Sequence, residues 1–156
     1  MGTGTLVDSN VLLDVLTEDP EWLDWSVTAL AAAAEFGPLF INPVVYAEVS
    51  IRFTRIEDLE AALPPSDFRR APVPWEAAFL AGKVFLAYRR SGGVRNSPLP
   101  DFFIGAHASV EGLSLLTRDR ARYRTYFPTV RLSAPADVSI RPTSRRPRPK
   151  RNSKEK

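Results

Sequence analysis

The first apolar stretch of the chain changes its period at Asp8. Leu6 and Val7 form a short apolar run that predicts a buried strand. The apolar residues after it recur with the spacing of one helix face, at Val11, Leu12, Val15 and Leu16. Asp8 therefore lies where a strand passes into a helix, the edge at which open α/β sheets bind ligands. The ordinary alternative is that Asp8 has no other role than a helix cap, a role that the side-chain oxygen of either Asp8 or Ser9 can fill.

The rest of the pattern alternates short apolar strands with helices. Strands are predicted at 39–41 and 113–116, an edge strand at 130–132 and an extended segment at 68–73. Helices are predicted from Asp19 to the Gly37 stop, from Pro43, at 56–63, at 75–90, from Pro100 to Gly112 and at 120–126. This alternation is typical of an α/β fold with a parallel sheet.

Length and composition predict one folded domain followed by a basic tail. The chain has 156 residues, enough for one core, and Pro, Arg, Lys and Ser dominate from 135 onward. We therefore expect a domain at 1–134 and a disordered tail at 135–156. Residues 141–156 carry a net charge of +7, and the other 140 residues carry −4. Such a tail can attract RNA or act only as a solubilising end, and its composition favours the second.

Residue types that are missing exclude several kinds of chemistry. The chain has no cysteine and one histidine, His107, which we expect to be packed or exposed and not a ligand. Any metal ion must then be held by oxygen, which favours Mg²⁺ or Mn²⁺ over Zn²⁺. The opening strand is unlike an export signal, and no apolar run reaches membrane-spanning length, so we expect a cytoplasmic protein without membrane contact.

Four carboxylates are predicted at one edge of the sheet. Each follows a strand or lies in the first turns of the next helix, at Asp8, Glu48, Asp101 and Asp119. Clustered carboxylates repel one another, so such a group favours a divalent cation, which can activate water for phosphodiester cleavage. The ordinary alternatives are helix capping for the aspartates and a solvent-facing helix acid for Glu48. Gly105, one turn after Asp101, allows another backbone to approach the same face.

Four motifs carry a resemblance to a known family. They are Val-Asp8-Ser-Asn10-Val-Leu-Leu, Glu48 after a Pro-led helix start, Pro-Asp101-Phe-Phe-Ile-Gly-Ala-His-Ala and Leu-Leu-Thr117-Arg118-Asp119. Together, from about Thr3 to Leu132, they resemble the PIN-domain ribonucleases, and among these the VapC-type toxins of toxin–antitoxin pairs. Each motif alone is weak, but the four occur in the right order and spacing.

The resemblance implies a three-layer α/β/α domain with a central, mainly parallel sheet. It implies an endoribonuclease that uses Mg²⁺, with Mn²⁺ as a substitute, held by the four acids Asp8, Glu48, Asp101 and Asp119. Asn10 and Thr117 would orient carboxylates or water through hydrogen bonds. It also implies a homodimer that is silenced by a small antitoxin protein. Some relatives carry a further acid just past Asp119, where this chain has Arg120, Ala121 and Arg122, so one or two metal ions remain possible.

A row of arginines follows the last motif. Arg118, Arg120, Arg122 and Arg124 can contact RNA phosphates, or they can pair with neighbouring acids or a dimer partner. Both interpretations stay open at the level of sequence.

Other α/β enzymes with acids at strand ends fit the sequence less well. A haloacid dehalogenase-type phosphatase needs an acid where this chain has Asn10, and a receiver domain needs a lysine that Lys83, in mid-helix, does not supply. No Gly-rich phosphate loop is present. The alternatives that remain are a PIN nuclease for RNA maturation or DNA flaps, and a non-catalytic module that binds RNA or a protein partner.

Overall fold

A parallel sheet of five short strands forms the centre of the molecule. The computed structural model describes residues 4–94 and 99–136, so the predicted tail lies outside the described residues from 137 onward. Within them the strands are β1 (Thr5–Val7), β2 (Leu39–Ile41), β3 (Phe68–Arg70), β4 (Ser114–Leu116) and β5 (Leu132–Ser133). Their order across the sheet is β3-β2-β1-β4-β5, and every neighbouring pair is parallel.

The described residues form seven helices around this sheet. They are α1 (Ser9–Leu16), α2 (Leu23–Phe36), α3 (Pro43–Ser50), α4 (Ile56–Ala62), α5 (Trp75–Arg90), α6 (Pro100–Glu111) and α7 (Arg120–Arg124). The predicted α/β/α fold is therefore confirmed. The extended segment predicted at 68–73 contains the edge strand β3, and the edge strand predicted at 130–132 is β5, which begins two residues later. No helix of the described part is long and apolar enough to cross a membrane.

The connections place a crevice at the end of β1. From β1 the chain passes to β2 on one side, and it later returns to β4 on the other side. Leu6 pairs with Phe40 of β2 and with Leu115 of β4, so β1 is the central strand. Leu6, Val7 and the facing residues of β4 are fully buried, because both faces of a parallel sheet are covered by helices. Ligands of such sheets bind where the strand order reverses, which here is between β1 and β4.

Helix boundaries follow the capping residues where these are strong. Asn42 accepts a hydrogen bond from the Val45 N–H at 2.9 Å, and Pro43 is the first residue of α3, as predicted. Gly112 ends α6 in the left-handed conformation, with φ of 63°. The start of α2 was predicted too early, because the Asp19 side chain accepts the N–H groups of Glu21 and Trp22 and forms a turn.

Gly105 is a point of close approach, as its position in α6 predicted, but the neighbour is a side chain. A Cβ atom on Gly105 would overlap ring atoms of Phe127. The prediction that a backbone segment approaches Gly105 is therefore wrong. The absence of a Cβ atom instead makes room for the Phe127 ring. α7 also ends at Arg124, two residues before the predicted end.

Candidate active site

Asp8 lies at the carboxyl end of β1 and is both a helix cap and part of a polar cluster. Its Oδ1 accepts the Ser9 N–H at 2.8 Å, which caps α1. Its Oδ2 accepts hydrogen bonds from the Thr117 hydroxyl at 2.8 Å and the Tyr123 hydroxyl at 2.9 Å. The side-chain amide of Asn10 donates to the same oxygen at 3.4 Å. Asp8 is thus held in place by donors from α1, from α7 and from the segment that follows β4.

Burial makes ionisation of Asp8 unfavourable. The residue is 2% exposed, and this burial raises the pKa of its carboxyl group. The hydrogen bonds from Thr117 and Tyr123 lower the pKa and offset part of that rise, whereas the charge of Asp101 adds to it. An acid with a raised pKa in a crevice of the sheet is typical of a functional site.

Asp101 lies in the first turn of α6, next to Asp8. The Tyr123 hydroxyl is 2.9 Å from Asp8 Oδ2 and 3.3 Å from Asp101 Oδ1, so one phenol connects the two acids. Burial raises the pKa of Asp101, although the charge of Arg122 opposes that rise. Burial and both carboxylates also raise the pKa of Tyr123 far above its usual range, so its hydroxyl remains a donor.

Glu48 reaches the same edge from α3. Its Oε1 accepts a hydrogen bond from the Ser9 hydroxyl at 3.1 Å, and Ser9 directly follows Asp8. The side chain is partly buried, and its pKa is raised by burial and then by the charges of Asp8 and Asp101. The predicted return of this long side chain toward the strand ends therefore agrees with the geometry.

Asp119 differs from the other three acids. Its Oδ1 accepts the backbone N–H of Arg122 at 3.1 Å and so caps α7. Its Oδ2 lies 3.1 Å from Nε of the same arginine. The side chain is 38% exposed, and its described side-chain contacts are with Arg122 and not with Asp8 or Glu48. Asp119 therefore joins the cluster through Arg122.

Asn10 and Thr117 connect the segments that follow β1 and β4. The Thr117 hydroxyl accepts the Asp119 N–H at 3.1 Å, and the Asn10 amide nitrogen lies 3.4 Å from the same oxygen. Asn10 Oδ1 accepts the N–H of Arg118 at 3.2 Å. These bonds fix the position of Asp8 relative to β4.

The four predicted arginines have different surroundings. Arg118 Nε lies 2.8 Å from Asp14 Oδ2, in ion-pair contact without hydrogen-bond alignment, and its guanidinium stacks over Trp22. Arg120 donates to the carbonyl oxygen of Ala134 at 3.3 Å. Arg122 pairs with two acids, whereas Arg124 is exposed.

Sequence reasoning missed Tyr123, and it considered Ser9 only as a helix cap. The pairing of Arg122 with two acids agrees with the alternative that the sequence left open for the arginine row. Tyr123 is fully buried, and a buried tyrosine needs a partner for its hydroxyl. The need for a hydroxyl partner could have pointed to an acid near Tyr123, but the spacing of residues in the sequence does not indicate which acid. His107 is buried with its Nδ1 3.1 Å from the Asn42 amide nitrogen, so it is packed, as predicted, outside the acidic cluster.

The chemistry of Asp8, Glu48 and Asp101 fits a hard divalent cation. All their donor atoms are oxygens, and all three have raised pKa values, first because they are buried and second because other acids lie nearby. Among the described residues, however, no three His, Cys, Asp or Glu side chains already lie close enough to hold one ion. Arg122 and Tyr123 take the oxygens of Asp101, so a cation there requires these side chains to move.

Comparison with known proteins identifies the family. The family model described as PIN domain matches residues 5–128. The chain belongs to the PIN domain family. The resemblance seen in the sequence motifs is confirmed at the level of family and fold, and Asp8, Glu48, Asp101 and Asp119 all fall within the matched PIN domain. No curated protein matches the chain.

Solved structures show the same PIN fold. A chain of VapBC2 from Rickettsia felis, bound to a DNA fragment from their promoter, matches with TM-score 0.65 and 18% identity, covering 83% of this chain and 97% of that chain. DNA-bound VapBC from Salmonella typhimurium gives TM-score 0.60 and 17% identity over 85% and 98%. FitAcB from Neisseria gonorrhoeae gives 0.55 and 18% over 82% and 95%. At these identities the likeness shows the fold.

Proposed function

We propose that this PIN-domain protein is a metal-dependent endoribonuclease and the toxin of a toxin–antitoxin pair. The observation that carries the proposal is that Asp8 and Asp101 share the Tyr123 hydroxyl as a neighbour, and that Glu48 contacts Ser9, the residue after Asp8, at the crevice beside β1. Their raised pKa values mean that negative charge is held there at a cost in folding free energy, which a purely structural site has no reason to keep.

Asp8, Glu48 and Asp101 would hold the cation, with Mg²⁺ as the expected ion and Mn²⁺ as a substitute. When bound, the ion lowers the pKa of an attacking water and neutralises charge on the leaving oxygen of the phosphodiester. The chain needs no nucleophilic side chain of its own, in agreement with the absence of cysteine.

Hydrogen bonds from neighbouring side chains fix the positions of these acids. Thr117 and Asn10 donate to Asp8 Oδ2 and hold the carboxylate toward Asp101. The Tyr123 hydroxyl keeps its single proton and lies within hydrogen-bond distance of both acids, 2.9 Å from Asp8 Oδ2 and 3.3 Å from Asp101 Oδ1, so it can donate to either one.

RNA contacts would come from the three arginines of α7 and from Arg118, two positions before that helix. Arg120 and Arg124 have no ion pair with an acid among the described contacts, so their charges are available to phosphates. Arg118 pairs with Asp14, and Arg122 pairs with Asp101 and Asp119. Less of their positive charge is therefore available to RNA. Phosphate contacts of this kind position a strand without reading its sequence.

The proposed partners are an antitoxin protein and a second copy of the chain. Several solved structures with this fold are VapBC complexes, which supports a protein antitoxin as a partner. A small reading frame that encodes an antitoxin directly upstream would support the toxin assignment. Induction of the wild type, but not of Asp8→Ala, should then arrest the growth of a host.

Cleavage of a labelled RNA tests the catalytic part of the proposal. With Mg²⁺, Asp8→Asn and Asp101→Asn should each cut more slowly than the wild type by about 100-fold or more, since removal of an outer-shell partner alone costs about 10–100-fold. Asp24→Asn, an exposed acid in the first turn of α2, is the matched control and should cut at the wild-type rate. EDTA should stop all cleavage.

One observation favours a second function. Arg122 already neutralises Asp101 and Asp119, as expected for a PIN module that binds RNA or a partner without cutting. RNA binding by the wild type with no cleavage in Mg²⁺ or Mn²⁺ would favour this module. Cleavage of a DNA flap in preference to RNA would favour a nuclease for maturation or repair instead.

A further inference from the structure

Arg122 divides the acidic cluster into two unlike halves. Its Nε lies 3.2 Å from Asp101 Oδ2 and 3.1 Å from Asp119 Oδ2, so one guanidinium serves two carboxylates. The donors to Asp8 and Glu48 are the neutral groups of Ser9, Asn10, Thr117 and Tyr123. One half of the cluster therefore contains its own cation, whereas the other half holds negative charge without one.

Asp119 is built to hold Arg122. Asp119 caps α7, and Arg122 lies three positions later, inside the helix. Each oxygen of Asp119 receives a different group of Arg122, the backbone N–H at Oδ1 and Nε at Oδ2. A guanidinium is a planar fork of fixed geometry, so anchoring it at Asp119 fixes where it meets Asp101. Burial opposes the charge of Arg122, but Asp101 and Asp119 outweigh it and raise the pKa of the arginine.

We propose that Arg122 takes the place of a second metal ion, so that the protein binds one divalent cation, held by Asp8 and Glu48 together with Asp101, the acid that this cation would share with Arg122. In this arrangement Asp119 is a positioning residue that holds Arg122 and is not a metal ligand. The inference rests on the proposed metal-dependent function and deepens it. A surface ion pair with no role toward the cation is the competing explanation, since Arg122 is 49% exposed and such pairs contribute little.

Counting bound Mn²⁺ by electron paramagnetic resonance, without RNA, tests the inference. The wild type should bind one Mn²⁺ per chain. Arg122→Gln should bind a second ion, and its first ion about ten-fold more tightly, because a positive charge has left the site. Arg124→Gln removes the same charge from an exposed position on the same helix and should stay within about two-fold of the wild type.

A double variant tests the part assigned to Asp119. Asp119→Asn alone should leave the count at one, because Asp119 does not bind the ion while Arg122 is present. In the Arg122→Gln background the same change should return the count from two to one, since Asp119 is then free to bind. Arg122→Lys keeps a positive charge and should keep the count at one. Circular dichroism would show that each variant is folded before its ions are counted.

The outcomes separate this inference from the proposed function. If Arg122→Gln binds Mn²⁺ no differently from Arg124→Gln, or binds less, the inference is wrong even where RNA is cut in an Asp8-dependent way. If the counts follow the expected pattern but no variant cuts RNA, the inference stands and the nuclease proposal is wrong. If no variant binds Mn²⁺, both are wrong.

Discussion

At the scale of single residues, the site holds acids under conditions that oppose their ionisation. Burial raises the pKa of Asp8, Glu48 and Asp101, and their mutual repulsion adds to the effect for Asp8 and Glu48. A residue whose pKa is raised by folding favours the folded state in its protonated form and disfavours it once ionised. Without a bound cation, the ionised cluster therefore lowers the free energy of unfolding at neutral pH.

Glu48→Gln tests this cost. The stability that protonated Glu48 contributes is present below its ordinary pKa of 4.5 and is lost as the pH rises through the raised pKa of the folded state. In metal-free buffer the variant should therefore be more stable than the wild type at pH 7, by roughly 0.5–2 kcal/mol. Urea unfolding at pH 7 and at pH 4 measures the difference, which should nearly vanish at the lower pH. A less stable variant at pH 7 would contradict the expectation.

The sequence allowed the backbone positions of the acids to be predicted, but not their partners. Asp8 and Asp101 were predictable because capping and strand-end patterns are local. The link between Asp8 and Tyr123 spans 115 positions and depends on how α7 packs, which no local pattern reports. The strand-end pattern grouped Asp119 with Asp8. It gave no sign that Arg122 lies between Asp119 and Asp101.

At the scale of elements, a buried ion pair joins α1 to the segment after β4. Asp14 in α1 has a side chain only 3% exposed, and it contacts Arg118 and accepts the Ser26 hydroxyl of α2 at 2.8 Å. Arg118 directly follows Thr117, the residue that donates to Asp8. Through Asp14, α1 is thus connected both to α2 and to the segment that follows β4.

Asp14→Ala should be clearly destabilising. It leaves Arg118 and Ser26 without their partner, and an unpaired buried charge costs about 3 kcal/mol, less here because Arg118 is 30% exposed. We expect a loss of about 2 kcal/mol in urea unfolding. Glu57→Ala, which breaks the exposed pair with Arg55, is the matched control and should cost less than about 0.5 kcal/mol. Equal losses in the two variants would argue against a structural role for the Asp14 pair.

Element boundaries were predictable where one strong cap decides them. Asn42 with Pro43 begins α3, and Gly112 ends α6, as expected from residue type alone. The start of α2 was not, because Asp19 and Pro20 favour a helix start and a turn equally well. The partner of Gly105 also depended on the tertiary position of Phe127.

At the scale of the whole molecule, charge is divided along the chain. Residues 1–140 carry thirteen Lys or Arg and seventeen Asp or Glu, a net charge of −4, and residues 141–156 carry +7. An acidic domain repels RNA, so long-range attraction must come from the arginines near the site or from the tail. The order of the strands brings the end of β1 beside the end of β4, where Thr117 donates to Asp8.

Deletion of residues 137–156 tests the tail. If the tail attracts RNA through counterion release, the shortened chain should bind RNA about ten-fold more weakly at 50 mM salt, with a difference below about two-fold at 500 mM. The rate of cleavage at saturating RNA should not change, because every acid of the site is retained. Filter binding across salt concentrations measures this effect. Equal affinity at low salt would show that the tail serves only solubility.

The strand order also sets when the site is completed during synthesis. Asp8 and Glu48 leave the ribosome early, whereas the hydroxyl donors Thr117 and Tyr123 come from β4 onward, near the end of the PIN domain. β1 can pair with β2 as soon as β2 has been synthesised, but the crevice between β1 and β4 does not exist until β4 pairs with β1. A nascent chain that ends before Tyr123 therefore lacks the assembled site. Any activity of the protein begins only after the whole domain has been translated.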